Sequence, residues 1–182
     1  MENLAKSSLV TGFWLFLICA LLVLLNAGYV LMWITLSPGL IFAICVVTYI
    51  PENINWFRQL ALVILSGSIY ITCYYFLQIV DEKGVCSRLI LLSGIGAFAL
   101  KLCYDILILK SVSITRTLAL PLALGIGTAI PSAICMNYFL VTKNVLLYAG
   151  VFLIYPLWYC GMGALIARSL KQLAPLQTIS EQ

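Results

Sequence analysis

The sequence predicts an all-α integral membrane protein, a compact bundle of six transmembrane helices, and three observations carry that expectation. Of the 182 residues, 64% are hydrophobic and only 9% charged, against about 45–50% and about 25% in an ordinary soluble domain. A soluble chain of this size keeps roughly a third of its surface in water and has nowhere to put so much apolar area. The apolar residues also fall in long unbroken runs rather than alternating, which favours helices over a transmembrane barrel. Polar breaks then divide those runs into lengths close to the roughly 20 residues that a span requires.

The first span covers residues 9–25, after a short polar start in which Lys6 is the one cation. A secretory signal with cleavage at Ala27 competes for this stretch. Its apolar run exceeds the usual core of about 7–15 residues and its basic region is weak, so it reads as a retained helix. Asn26-Ala27-Gly28 is a turn signal. The second span, 29–50, carries Ser37-Pro38-Gly39 at its centre, where proline removes a backbone hydrogen bond and predicts a kink. A single long helix to Leu36 followed by a re-entrant piece is the alternative, and two spans fit the length better.

The connection PENINWFR offers Asn53 or Asn55 to cap the third span, 57–79, and places Trp56 where an interfacial aromatic belongs. The polar loop around Asp81, Glu82 and Lys83 precedes the fourth span, 89–110. The fifth, 117–141, is interrupted by Pro121 and Pro131, and the sixth, 145–167, comes after a brief turn at Thr142-Lys143-Asn144. Residues 1–168 thus form the transmembrane domain, and 169–182 a short polar tail. Lys6, Arg58, Lys110, Arg116, Arg168 and Lys171 fall on one side of this arrangement, and Lys83, Arg88 and Lys143 on the other. The positive-inside rule then puts both termini in the cytoplasm, in a plasma or inner membrane.

Composition excludes several chemistries. There is no histidine, which removes His-ligated haem, His-based zinc and Ser-His or Cys-His catalysis. The seven cysteines, Cys19, Cys45, Cys73, Cys86, Cys103, Cys135 and Cys160, are scattered without a C-x-x-C pair and read as apolar packing residues. No cofactor or metal is expected. The net charge of +4 comes from cations spread singly, so it signals topology and no nucleic-acid partner. The implied partner is the lipid bilayer, with a membrane-protein partner or a second copy of the chain completing any pathway through so small a bundle.

The fourth span, LILLSGIGAFALKLCYDILILK, holds Lys101 and Asp105 deep in an apolar run. Each costs about 2.5–3.5 kcal/mol on insertion scales, so such residues are candidate functional groups. Four residues apart, they share one helix face. Either they neutralise each other or they line a wet cavity, with Lys101 on an anion and Asp105 exchanging a proton. On the third span Gly67, Tyr70, Tyr74 and Gln78 form one stripe. Ser132 and Asn137 on the fifth span, with Tyr155 and Tyr159 on the sixth, are its candidate partners. The expected substrate-binding set is therefore Lys101, Asp105, Tyr70, Tyr74, Gln78 and Asn137. Glu52 beside Asn53 and Asn55 reads as a solvated loop with helix caps rather than a headgroup site.

Short small-residue phrases recur at Gly94-Ile95-Gly96-Ala97, Gly125-Ile126-Gly127-Thr128 and Gly161-Met162-Gly163-Ala164, with Ser66-Gly67-Ser68 a weaker relative. Close helix packing explains them more simply than an unwound binding segment at Gly127 and Pro131. No phosphate loop, zinc signature or nucleophile elbow is present. The expected function is a small permease, or a transporter subunit, moving a solute through a polar path near the fourth helix. The alternatives are a membrane-embedded enzyme acting on a lipid or isoprenoid, disfavoured by the scarcity of acid–base residues, and a non-catalytic assembly or immunity-type protein.

Overall fold

The computed structural model describes residues 2–27, 37–50, 54–78, 84–110 and 114–180, leaving aside the side chains of Glu2, Gln78, residues 114–116 and residues 172–180. Among them there is no strand. The helices are α1 (Glu2–Leu24), α2 (Pro38–Val47), α3 (Trp56–Gln78), α4 (Val85–Tyr104), α5 (Leu120–Thr142), α6 (Val145–Gly150) and α7 (Ile154–Ser180). A wider π-helical turn, Asp105–Leu109, extends α4, another, Ile114–Ala119, leads into α5, and a 3₁₀ turn, Val151–Leu153, joins α6 to α7. The chain folds as a membrane-embedded helical bundle.

Among the described residues, five stretches are long and apolar enough to cross a bilayer: Asn3–Leu24, Trp56–Leu77, Val85–Leu109, Thr117–Thr142 and Val145–Lys171. Their outward faces carry large exposed apolar side chains, such as Phe13, Trp14 and Leu21 on α1 and Ile64, Ile71 and Tyr75 on α3. Water would penalise such a surface and lipid does not. Of the expected second span, residues 28–36 lie outside the described ones. Its remainder holds α2, ten residues and so about 15 Å long, half the roughly 30 Å hydrocarbon core. Pro38 is the first residue of α2 rather than a kink within it, the position where a helix needs no N–H from it.

Helix ends differ from the sequence reading in several places. α1 starts at Glu2 and α4 at Val85, each earlier than expected. At the C-terminal side α7 runs on to Ser180, with Ser169 and Leu170 buried, so Arg168 is not a boundary. α1 stops before Asn26, whose left-handed conformation (φ 54°) turns the chain and excludes one long helix to Leu36. Asn144 caps α6 by accepting from the Leu146 N–H at 2.9 Å, and Asn55 accepts from the Phe57 N–H at 2.9 Å at the start of α3. Asn53 and Glu52 are outside the described residues. Neither Pro121 nor Pro131 interrupts α5: the first lies in its opening turn and the second inside a continuous helix.

The helices form a ring in which α1 packs on α7, α7 on α5, α5 on α4, α4 on α3, α3 on α2, and α2 back on α1. Glycines set the closest crossings. A Cβ on Gly125 would stand 2.8 Å from the Cα of Gly94, so α4 and α5 touch backbone to backbone. A Cβ on Gly12 would stand 2.8 Å from the Cα of Pro156, which fixes the α1–α7 crossing. Gly127 has open space around it, and the helix there is not unwound. The small-residue phrases therefore serve packing.

One half of the ring is filled and the other is not. Around the end holding the start of α1 and the turns near Lys110, the centre is packed by Phe42, Val46, Leu62, Tyr104, Ile108 and Ile166, all nearly inaccessible. The opposite end, which holds Asn26, Leu77 and Lys143, surrounds a cavity.

Candidate functional site

The cavity measures about 570 Å³ and its lining runs from Asn26, Lys143 and Val145, exposed at the helix ends, to Gly39, Ser66, Leu100 and Tyr159 midway through the bundle. Volumes of about 300–1,000 Å³ are typical of small-molecule sites. Aromatic rings make its wall: Tyr70 and Tyr74 from α3, Phe139 from α5, Tyr148 from α6, and Tyr155 and Trp158 from α7.

The floor is knitted together by hydroxyls and rings. Tyr70 donates to the Tyr155 hydroxyl at 3.3 Å, so Tyr155 keeps its own O–H to donate. Tyr159 donates to the Pro38 carbonyl. Phe42 lies beneath, edge-on to Tyr159 and Trp158 with centroids 5.0 and 5.2 Å apart, an arrangement favoured by aromatic quadrupoles. A Cβ on Gly39 would stand 2.5 Å from the Tyr70 Cβ and 2.7 Å from the Ser66 carbonyl, so α2 meets α3 at the cavity floor with no room for a side chain. Two lining hydroxyls, Ser66 Oγ and Ser93 Oγ, are buried and have no hydrogen-bond partner. A buried, unpaired hydroxyl costs about 1–3 kcal/mol, which makes each one informative.

Lys101 and Asp105 sit elsewhere. Their side chains are 1% and 3% exposed and bond to each other directly. Thr117, from the π-helical turn before α5, donates to the second carboxylate oxygen. The Lys101 ammonium also lies 5.7 Å from the centroid of the Tyr104 ring. Leu100 lines the cavity, but one residue further along a helix turns about 100°, and Lys101 is not among the lining residues. The pair is a neutral, internally satisfied plug that ties α4 to the start of α5 in the packed half.

Of the six residues expected to form a site, Tyr70 and Tyr74 line the cavity. Lys101 and Asp105 are brought together but away from it. Asn137 is on α5 and does not line it, so it does not meet the Tyr70 stripe. The side chain of Gln78 lies outside the described ones. Tyr155 does meet the stripe, as the sequence suggested, while Ser132 is buried without a partner and apart from the cavity. Sequence reasoning missed Gly39, Ser66 and Ser93. A signal for Gly39 was present in Ser37-Pro38-Gly39, a triplet that marks a helix start as readily as the expected kink.

The described lining contains no Asp or Glu, and its one charged side chain is Lys143 at the rim, held 5.8 Å over the Phe139 ring. It offers an apolar aromatic volume with hydroxyl donors gathered at the floor. No family model, no curated protein and no solved structure matches this chain.

Proposed function

We propose that this protein is a small multi-pass membrane carrier that takes a small, largely apolar solute into the tyrosine-lined cavity and passes it across the bilayer. The observation that supports this most is the division of the bundle into an open half and a packed half, meeting at a floor midway through. Alternating-access carriers hold their site near the bilayer midplane and build it from broken helices. α2, a ten-residue helix that starts at Pro38 beside the floor, contributes to the site from that depth. With both termini cytoplasmic, as the cation distribution favours, the cavity faces outward from a plasma or inner membrane.

This reading keeps the transport function expected from the sequence but moves the site from the Lys101–Asp105 pair to the Tyr70–Tyr155–Tyr159 floor. The described lining carries no carboxylate and the chain no histidine, so a lipid-acting enzyme would have to rely on tyrosine hydroxyls and Lys143 for proton transfer.

The test needs no knowledge of the solute. Tyr70→Cys, half-buried at the cavity floor, is placed in a chain lacking its seven native cysteines and treated with a polar, membrane-impermeant thiol reagent from each face of sealed vesicles. A carrier gives labelling from the cavity face and slower labelling from the opposite face. Labelling from the cavity face alone refutes transport.

A further inference from the structure

We propose that the outward face of α5 is a docking surface for a second copy of this chain, and that the Asn137 amides of the two copies bond to each other across a two-fold axis along the membrane normal.

One face of α5 packs in its own bundle, with Pro121, Gly125, Ala129, Ser132 and Ala133 buried. The opposite face carries Ala123, Gly127, Ile130, Ile134, Asn137 and Val141, every one of them exposed. They recur at alternating spacings of four and three residues, the 3.5-residue repeat of a seam between two helices. A lipid-facing stripe has nearly the same period, so the residue types must decide. α1 and α3 present bulky apolar side chains to the bilayer, Phe13, Trp14 and Ile64 among them. α5 presents two small residues and an amide.

The amide is the deciding observation. Asn137 makes no hydrogen bond among the described residues and does not line the cavity. The Thr117–Thr142 span has 26 residues and is about 39 Å long, so it overhangs a core of about 30 Å by about 4–5 Å at each end. Asn137 stands about 7.5 Å from Thr142 and therefore within the hydrocarbon. Acyl chains offer an amide neither donor nor acceptor.

The backbone at Gly127 is an independent sign. Pro131 lies inside α5 and has no N–H for the Gly127 carbonyl four residues earlier. Nothing stands within 4 Å of the place a Gly127 Cβ would take, so this backbone is bare toward the bilayer. In membranes a neighbouring helix usually covers a carbonyl that proline has freed.

A second copy answers both. A two-fold axis along the normal keeps each residue at its own depth, so Asn137 meets Asn137 and Gly127 meets Gly127. An amide carries donors and an acceptor and is its own complement. Such bonds hold membrane helices together, and one Asn in a heptad seam fixes the register. Ala123 and Gly127 let the two backbones approach where the carbonyl is bare. A different partner would need an amide at this same depth, which the second copy has by symmetry.

Full-length protein lacking its seven native cysteines is reconstituted in liposomes with one cysteine near the same membrane face: at Val141 on α5, Leu24 on α1 or Phe76 on α3, all exposed. Copper phenanthroline is expected to give disulfide-linked dimers at Val141 and monomers at Leu24 and Phe76. Energy transfer between donor- and acceptor-labelled copies, diluted with lipid, then measures self-association. Asn137→Leu is expected to weaken it about tenfold and Asn137→Gln less. Gly127→Leu, which wedges the seam apart, is expected to weaken it by at least about tenfold, while Gly127→Ala fits as Ala123 does. Maleimide labelling of Cys73 in the cavity, in chains that keep it, reports that each variant folds. Monomers at every dilution overturn the proposal, as do dimers linked as readily at Leu24 or Phe76. Unchanged association of folded Asn137→Leu overturns it too. So does an Asn137→Leu chain whose Cys73 labelling changes, because Asn137 would then serve the single chain.

Discussion

Changing Asp105 to Asn tests whether the Lys101–Asp105 pair is a sealed plug. The substitution keeps an acceptor for Thr117 but removes the counter-charge of Lys101, whose side chain is 1% exposed. Two routes give the size of the loss. Breaking a buried ion pair by removing one partner costs about 3–5 kcal/mol. A lone charge in a membrane helix costs about 2.5–3.5 kcal/mol on insertion scales. The two ranges overlap near about 3 kcal/mol, about a hundredfold in the folded-to-unfolded ratio. Lys101→Met alone should cost a similar amount by stranding Asp105. The double variant, Lys101→Met with Asp105→Asn, strands no charge and leaves only amide donors unpaired, at about 1–3 kcal/mol. The two single losses thus sum to about 6 kcal/mol, and the double should recover at least half of it. Equilibrium unfolding in mixed micelles measures all three, with maleimide labelling of Cys73 in the cavity as a second readout that the double variant should retain. A stable Asp105→Asn protein, or a folded double variant whose Cys73 no longer labels, would refute the plug and return the pair to the solute path.

Gly125→Ala should lower stability by about 1–3 kcal/mol through overpacking, because the new methyl meets the Gly94 backbone at 2.8 Å. Gly127→Ala, with open space around it, should be neutral or stabilising by up to about 1 kcal/mol through helix propensity; thermal melts of the pair separate crossing from composition. Tyr159→Phe removes the hydroxyl that bonds the Pro38 carbonyl and should cost about 1 kcal/mol, as equilibrium unfolding would show. A polar maleimide should modify Cys73, which lines the cavity, and leave buried Cys19 untouched in the folded protein, as peptide mass mapping would show.

The fold class was legible because hydrophobic runs report the solvent directly: a stretch such as residues 57–79 has no other stable home than lipid. Tyr70 and Tyr74 were legible by helical periodicity, which puts them on one face whatever they meet. Lys101 and Asp105 stand four residues apart, and that spacing already contained their mutual satisfaction. Two things were hidden. Which face of α4 points inward depends on its crossing with α5 at Gly94 and Gly125, a long-range contact that no local pattern encodes. The role of Ser37-Pro38-Gly39 was hidden too, because proline marks a kink and a helix start equally well. Only the packing of α2 on α3 decides between them. Ser66 stands four residues before Tyr70, on the face of the tyrosine stripe, but serine in a membrane helix most often bonds its own backbone, as Ser68 does to the Ile64 carbonyl at 2.9 Å, so neither it nor Ser93 stands out as a site residue.

The central claim, that the protein works through the tyrosine-lined cavity and not along the charged face of α4, is tested most directly by single-cysteine accessibility. Cysteines are placed at Tyr70, Tyr74, Ser93 and Tyr148, half-buried on the cavity wall, at Ile64, Ile71 and Tyr75 on the outward face, and at Ala97 and Ile108 on the Lys101 face. A polar thiol reagent reacts with the hydrated thiolate and not with a thiol in lipid or packed protein. The account predicts labelling at the cavity set alone. Labelling at Ala97 and Ile108 with the cavity set silent would contradict it.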